Sequence, residues 1–352
     1  MRVLVTGHDG YIGRVLTRVL EEAGHVIGGV DSGYYADCGF DAPARADPAA
    51  SAPRSDVRDL TVDDLAGWDA VVHLAALCND PVGDLSNEWT HDINHAGAVH
   101  VARLARDAGV KRFLFASSCS VYGDAGTDTE LSETSAVRPL TAYAVSKARA
   151  EEDLAALAGP GFSPVFLRNG SVYGLSPRFR ADIVLNNLVC WAVTTGQVTM
   201  FTDGTPWRPL VHVEDVSRAF LTVLTAPRDA VHNEVFNVGV PGENYQVADL
   251  AAIVCSAVPG SRIGLVPHAG GDMRDYRVSF AKLASRLPEF TPRWCAADGA
   301  CEVRDGLRAA GVSQDDFQGP RFTRLARLRQ LIDAGAVDSS LRMRQVEGAS
   351  SR

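Results

Sequence analysis

Tyr143 and Lys147 stand four residues apart in the stretch Thr141-Ala-Tyr143-Ala-Val-Ser-Lys147. That spacing puts both side chains on one face of a helix, one turn from each other. An ammonium beside a phenol favours the phenolate and lowers its pKa, which suits the tyrosine to act as a general base near neutral pH. Upstream, Phe113-Leu-Phe-Ala-Ser117-Ser118-Cys119-Ser120-Val-Tyr122-Gly123 reads as an apolar strand that runs into a hydroxyl-rich turn. Ser118 is placed there to hydrogen-bond both a substrate hydroxyl and the Tyr143 oxygen. A half-buried tyrosine beside a solvated lysine gives the same spacing, so the chemistry depends on the elements around the pair.

The N-terminus supplies the first of these elements. Arg2 to Thr6 is a short apolar strand, followed by Gly7-His8-Asp9-Gly10-Tyr11-Ile12-Gly13 and then by Val15, Leu16, Val19 and Leu20 at helical spacing. A strand, a glycine turn and a helix in that order form the context of a dinucleotide fingerprint. Gly7 permits the tight turn, Gly10 lets a pyrophosphate approach the backbone, and Gly13 lets helix and strand pack closely. Phosphates then sit at the helix N-terminus, where Tyr11 and Ile12 begin the helix. The spacing is Gly-x-x-Gly-x-x-Gly, which an ordinary glycine-rich turn also shows. The next strand, His25 to Val30, ends at Asp31. An acid at the end of the second strand accepts from both hydroxyls of an adenosine ribose and repels a 2′-phosphate, so NAD is favoured over NADP. After a Pro/Ala/Gly-rich loop over 32–54, Asp56-Val57 is a candidate to reach the adenine; aspartates in such turns also cap the next helix.

Ala70-Val-Val-His-Leu-Ala-Ala76 is apolar except for His73, as in a parallel strand covered on both faces; His73 is expected to be packed, not catalytic. A helix over 90–108 carries Asn94 near its start. The strand 112–116 delivers Ser117 and Ser118, the helix with Tyr143 and Lys147 runs to about Leu157, and another strand spans 163–168. This alternation predicts an α/β fold with a doubly wound parallel sheet. Beyond Arg168 the order changes. Helices are expected over 183–193, 214–224 and 247–257, and strands over 198–201, 207–213, 234–238 and 273–278. Together they suggest a smaller substrate-binding lobe woven with the last sheet strands. The predicted organisation is 1–170 for the dinucleotide domain, 171–340 for the second lobe and 341–352 for a polar tail. Residues 321–332 read as a covering helix, with Leu325, Leu328, Leu331 and Ile332 on one side and solvated arginines on the other.

The bulk figures fit a large core: 352 residues with a hydrophobic share of 46%. A net charge of −9, from Lys+Arg 34 against Asp+Glu 43, argues against general binding to nucleic acid or an anionic membrane. No stretch has the length and apolarity of a membrane span or signal peptide. The seven cysteines are scattered without a Cys-x-x-Cys, which gives no support to a metal site and fits a reduced, cytoplasmic protein.

The glycine turn, Asp31, the Ser118 turn and the Tyr143/Lys147 pair occur in the order found in the extended short-chain dehydrogenase/reductase superfamily. The chain resembles its nucleotide-sugar epimerase/dehydratase branch over roughly residues 1 to 290. The resemblance implies that Gly7, Gly10 and Gly13 form the phosphate turn, Asp31 holds the ribose, and Asp56-Val57 contact the adenine. It puts Leu74, Ala75 and Ala76 at the strand end beside the cofactor, with Asn94 as the helix asparagine. Ser118, Tyr143 and Lys147 become the catalytic triad, and Lys147 also bonds the nicotinamide ribose. On the substrate side it implies that Asn187 and Arg208 contact a diphosphate and that Asp272 lies by the nucleotide ribose. The planar fork of an arginine suits phosphate oxygens; Arg274 and Arg277 are candidates for further phosphate charge.

Two departures narrow the chemistry. Where 4,6-dehydratases have Asp-Glu after the catalytic hydroxyl residue, this chain has Cys119-Ser120, which cannot supply the acid and base that remove water. Where the family has a substrate asparagine, the chain has Ser171. The expected activity is NAD-dependent epimerisation of a nucleoside-diphosphate sugar, at C4 by resemblance. A dehydratase, a keto-sugar reductase and a non-catalytic dinucleotide sensor are the alternatives. Pairing of the helices 90–108 and 141–157, through the small surfaces of Ala98, Ala102, Leu104 and Ala105, predicts a homodimer.

Overall fold

The computed structural model describes residues 1–40, 55–78, 80–83, 85–266 and 274–344. Six strands form one parallel sheet: β1 (Arg2–Thr6), β2 (Val26–Val30), β3 (Ala70–His73), β4 (Arg112–Ser118), β5 (Ser163–Asn169) and β6 (Val235–Val238). Their order across the sheet is β6-β5-β4-β3-β1-β2. The doubly wound architecture expected from the alternation is therefore present. All four residues of β3 and all seven of β5 are buried, since helices cover both faces. His73 is packed as expected, hydrogen-bonded to Thr6 Oγ1 at 2.9 Å. Burial pushes its imidazole down to about 3, so it is neutral near pH 7.

Helix α1 (Tyr11–Glu22) lays Val15, Leu16, Val19 and Leu20 into the interior. On the opposite face, α2 (Gly97–Asp107) and α3 (Ala142–Ala155) cover Phe113, Phe115 and Phe166. Full burial of each such ring stabilises the fold by about 1.5–3 kcal/mol. The helix expected over 90–108 begins earlier and is not uniform. A turn of α-helix, Asn87–Thr90, passes into π-helix over His91–Ala96 before α2 begins. The alanines expected to pair two copies are occupied within one chain. Ala98, Ala102 and Ala105 are each 0% exposed and pack with Leu4, Val71 and Phe113. The helix phase, rather than residue size, decides which way they face.

A separate core forms largely from the chain beyond residue 172. Helices Val184–Thr195, Val247–Ala257 and Ala296–Ala309 pack together around Leu185, Leu188, Leu250, Val254, Val303 and Leu307. The helix 247–257 has the bounds expected for it, and β6 pairs in parallel with β5 in the main sheet. The polar strand expected over 273–278 is Asp275–Val278, and it pairs in parallel with Asp124–Leu131. The chain then returns to the first lobe. Helix Arg324–Asp333 buries Leu328 and Leu331 against Tyr34, Leu77, Val82 and Ile93. Ile332, expected on the buried side, is 37% exposed, whereas Arg324, expected in solvent, is 2% exposed. Leu341, placed in the polar tail by the sequence, is fully buried, and its carbonyl accepts from the Tyr34 hydroxyl.

Candidate active site

Helix α3 is capped by Thr141, whose Oγ1 accepts from Ala144 N at 3.2 Å. Its inner face carries Tyr143, Lys147 and Glu151 at successive turns. Glu151 locks the helix to the sheet, because its carboxylate takes Arg168 Nη2 at 2.6 Å and Nε at 3.0 Å and also accepts from Ser117 Oγ. Arg168 in turn donates to the Tyr122 hydroxyl at 3.0 Å, and that hydroxyl donates to Asn237 at 2.7 Å. A buried pair satisfied on all sides fixes geometry. Here it sets α3 in register with the ends of β4 and β5.

Lys147 is 2% exposed. Its Nζ donates to the Ala116 carbonyl at 2.7 Å and lies 5.8 Å from the centre of the Tyr143 ring. Burial is the main influence on this ammonium and pushes it down to about 8. Ser118 ends β4. Its Oγ accepts from Ser120 N at 3.1 Å, and the side chain faces the same cavity as Tyr143 and Lys147.

That cavity measures about 440 Å³ and runs from the glycine turn across the sheet ends to the second lobe. Gly7, Gly10, Tyr11, Ile12, Gly13, Asp31, Asp56, Val57, Leu74, Ala75 and Ala76 line one end. The turn leaves no space for side chains. Gly7 has φ +74°, and a Cβ there would lie 2.9 Å from Ala75 N; a Cβ on Gly13 would lie 2.2 Å from the Gly7 carbonyl oxygen. Asp31 accepts from Gly33 N at 2.8 Å and Asp9 N at 3.2 Å. Burial pushes its carboxyl up, while the Gly33 amide opposes that shift. A glycine cradle at a helix start, with an acid closing the second strand, fits an extended dinucleotide.

Ser171, Asn187, Arg208 and Arg274 line the far end, so residues distant in sequence are brought to one space. Arg208 is 4% exposed, and its Nη1 donates to the carbonyls of Trp207 at 2.8 Å and Arg274 at 2.6 Å. Asn187 Nδ2 donates to the Ala181 carbonyl at 2.8 Å. Asp272 lies outside the described residues.

Two placements differ from the expectation, and a third keeps its place with an added partner. Asn94 is fully buried and is not in the cavity wall. In the π turn its amide clasps both backbone groups of Leu77, at 2.7 and 2.9 Å, which holds the loop after β3. Asp56 is in the wall, but Arg58 binds both of its carboxylate oxygens, at 2.9 and 2.6 Å, and its side chain caps the turn Val57–Asp59. Arg277 turns away, pairing with Glu130 at 3.2 Å above the Trp207 ring. Cys119 and Ser120, the residues that replace a dehydratase's acid and base, are both buried. Cys119 Sγ donates to the Arg168 carbonyl, and burial pushes its thiol up. Sequence reasoning missed Tyr35, Cys78, Arg180, Asp182 and Arg324 in the wall. Arg178 and Arg180, two residues apart after Pro177, are the one sequence signal for part of that group.

The buried lysine makes a testable demand. Its ordinary value is 10.5 and its folded value about 8. Between these limits the unfolded chain holds a proton that the folded chain has released, so stability from this group rises with pH. Below about 8 both forms are protonated and the full burial penalty applies. In cofactor-free protein, urea unfolding of wild type and Lys147→Met should therefore diverge in favour of wild type as pH rises from about 8 to about 10. A difference that stays flat across this window means that the ammonium is not desolvated.

Known proteins resemble this chain over most of its length. The chain is 28% identical over 315 residues to UDP-glucose 4-epimerase of Corynebacterium glutamicum, an alignment covering 83% of this chain and 92% of that protein. It is 29% identical over 330 residues to UDP-glucose 4-epimerase of Mycolicibacterium smegmatis, covering 88% and 99%. Among solved structures, MoeE5 in complex with UDP-glucose and NAD superposes with a TM-score of 0.74 at 30% identity, over 89% of this chain and all of that one. The dTDP-glucose 4,6-dehydratase DesIV of Streptomyces venezuelae superposes with a TM-score of 0.76 at 25% identity, over 92% of this chain and 100% of that one. With the glycine turn, Asp31 and the tyrosine–lysine pair gathered at one cavity, and with the family's sequence model matching residues 3–239, the chain belongs to the NAD-dependent epimerase/dehydratase family.

Proposed function

We propose that this protein is an NAD-dependent epimerase that inverts C4 of a nucleoside-diphosphate sugar, with UDP-sugars the first substrates to test. One observation carries the reading. Tyr143, Lys147 and Ser118 share a cavity with the dinucleotide cradle at one end and Arg208 and Arg274 at the other, while Cys119-Ser120 leave it without a dehydratase's acid and base. Relatives named UDP-glucose 4-epimerase support the choice of reaction.

In this reading Tyr143 takes the proton from the sugar hydroxyl, with Ser118 bridging the two oxygens. Lys147 stabilises the phenolate by its charge. An ammonium has three donors, and the Ala116 carbonyl uses one, so others remain for a ribose hydroxyl. NAD would supply, when bound, a reversible acceptor for the hydride of the sugar carbon, so that the hydride can be restored on the opposite face. Gly7, Gly10, Gly13 and Asp31 hold the cofactor; Asp31 excludes a 2′-phosphate by charge. Val57, Leu74, Ala75 and Ala76 line its adenosine and central portions. Asn187, Arg208 and Arg274 bind the diphosphate of the substrate, and Ser171 faces the sugar. The larger role of the second lobe, 171–340, is to hold the nucleotide while the keto sugar turns.

Incubation with UDP-, dTDP-, GDP- and ADP-hexoses, followed by NMR, should give a new set of sugar resonances for one nucleotide. Tyr143→Phe should slow that conversion by about 10²–10⁴-fold while NAD remains bound. Bound NAD with no conversion of any sugar nucleotide would instead point to a dinucleotide sensor.

The protein is further proposed to be a homodimer. Since the alanines are buried, the pairing surface must be the outer faces of the 87–107 helical stretch and α3, where Arg103, Arg106, Arg149, Glu152 and Asp153 are exposed. These charges can pair between copies. Light scattering at micromolar concentration should give twice the chain mass, and a single-chain mass would refute the pairing. None of the seven cysteines is in a disulfide, which suits the reducing cytoplasm. Among the described residues no helix is long and apolar enough to cross a membrane.

A further inference from the structure

The C-terminal helix brings to the cavity a charge that the chemistry above does not use. Arg324 is 2% exposed and stands in the cavity wall. Its Nη2 donates to the Arg178 carbonyl at 2.9 Å, and its guanidinium lies 4.2 Å from the centre of the Tyr35 ring. Its Nη1 is buried and, among the described residues, has no hydrogen-bond partner. The neighbouring arginines hold carboxylates of their own. Arg178 is paired with Asp9 at 2.9 Å and Arg180 with Asp182 at 2.8 Å. Asp182 feels the charge of Arg324 at longer range, but its carboxylate is already held by Arg180. Among the described residues no carboxylate lies within ion-pair distance of Arg324. A buried charge without a partner is costly, and an anion at Nη1 relieves that cost.

The position indicates which anion. Arg178, on which Arg324 leans, reaches Asp9 in the glycine turn. Ser176, two residues before Arg178, donates to the Tyr11 carbonyl at 2.7 Å. Tyr35, on which Arg324 stacks, lies in the loop after Asp31. Arg324 therefore stands between the glycine turn and the loop beyond the ribose acid. A dinucleotide extended from Asp31 to Lys147 carries its pyrophosphate past that point. We propose that Arg324 is a cofactor-binding residue, its Nη1 donating to the pyrophosphate of bound NAD. The segment that presents it is firmly docked: Gly39 N donates to the Arg321 carbonyl at 2.9 Å, Ala181 N to Phe322 at 3.0 Å, and Arg58 Nη1 to Ser340 at 2.8 Å. The proposal rests on the reading of the cavity as an NAD site.

The test is a set of titrations of the full-length protein, stripped of nucleotide, with adenosine, ADP, NADH and UDP, each followed by calorimetry. Arg324→Met should weaken ADP and NADH by about 10- to 100-fold, the range of one charge-assisted hydrogen bond, and change adenosine and UDP by less than about twofold. Arg324→Lys keeps the charge without the planar fork and should recover part of the loss. Should Arg324→Met fail to fold, the lysine variant alone must still weaken ADP while leaving adenosine unmoved. Unchanged ADP affinity overturns the proposal, as does an equal loss for adenosine, which means a structural role. A loss confined to UDP assigns the arginine to the substrate and also overturns it. If wild type itself fails to bind NADH, the NAD reading fails first; if it binds and the variants match it, only the role of Arg324 falls.

Discussion

Lys147 keeps its ammonium inside the protein, 2.7 Å from the Ala116 carbonyl and under the ring of Tyr143. Burial opposes that charge, so the surrounding structure must hold it in place. The Glu151–Arg168 pair does this one turn further along α3. Breaking such a pair by removing one partner leaves an uncompensated buried charge and costs about 3–5 kcal/mol. The network explains why a helix with modest apolar character is nonetheless fixed in rotation. A one-residue slip would turn Tyr143 out of the cavity and set the Glu151 carboxylate against apolar neighbours.

The chain around residues 174–178 is tied to the glycine turn by an ion pair and a hydrogen bond. Arg178 reaches across to Asp9 in the glycine turn, and the Tyr11 hydroxyl donates to the Gly174 carbonyl at 2.8 Å. The loop 174–182 is therefore tied to the glycine-turn end of the cavity, while the helix Val184–Thr195 that follows it carries Asn187 to the far end. The C-terminal segment then crosses back and closes the region after Asp31. In this arrangement both ends of the cavity depend on the same loop.

Much of the fold is legible in the sequence because its signals are local. The glycine turn, the acid at the end of β2, the apolar run of β3 and the Tyr143/Lys147 spacing each specify a backbone shape within a few residues. The bounds of the helix 247–257 are legible for the same reason. What could not be read depends on tertiary context. Asn94 sits in a π turn that periodicity at 3.6 residues does not reveal, and its amide serves the backbone of Leu77. Ala98, Ala102 and Ala105 have the size of an interface and the phase of a core. Arg324 looks like any arginine on an amphipathic helix until the fold places Arg178 and Tyr35 against it. Tyr35, Cys78 and Asp182 carry no motif; only the folded chain collects them.

The central claim is that Tyr143 handles a hydroxyl proton and that the hydride leaving a sugar carbon returns to that carbon without exchange with water. The isotopic fate of the sugar carbons during turnover in D2O tests this most directly. The account predicts product with no deuterium on any carbon. Deuterium on a sugar carbon, as removal of a proton beside a ketone would introduce, would contradict it.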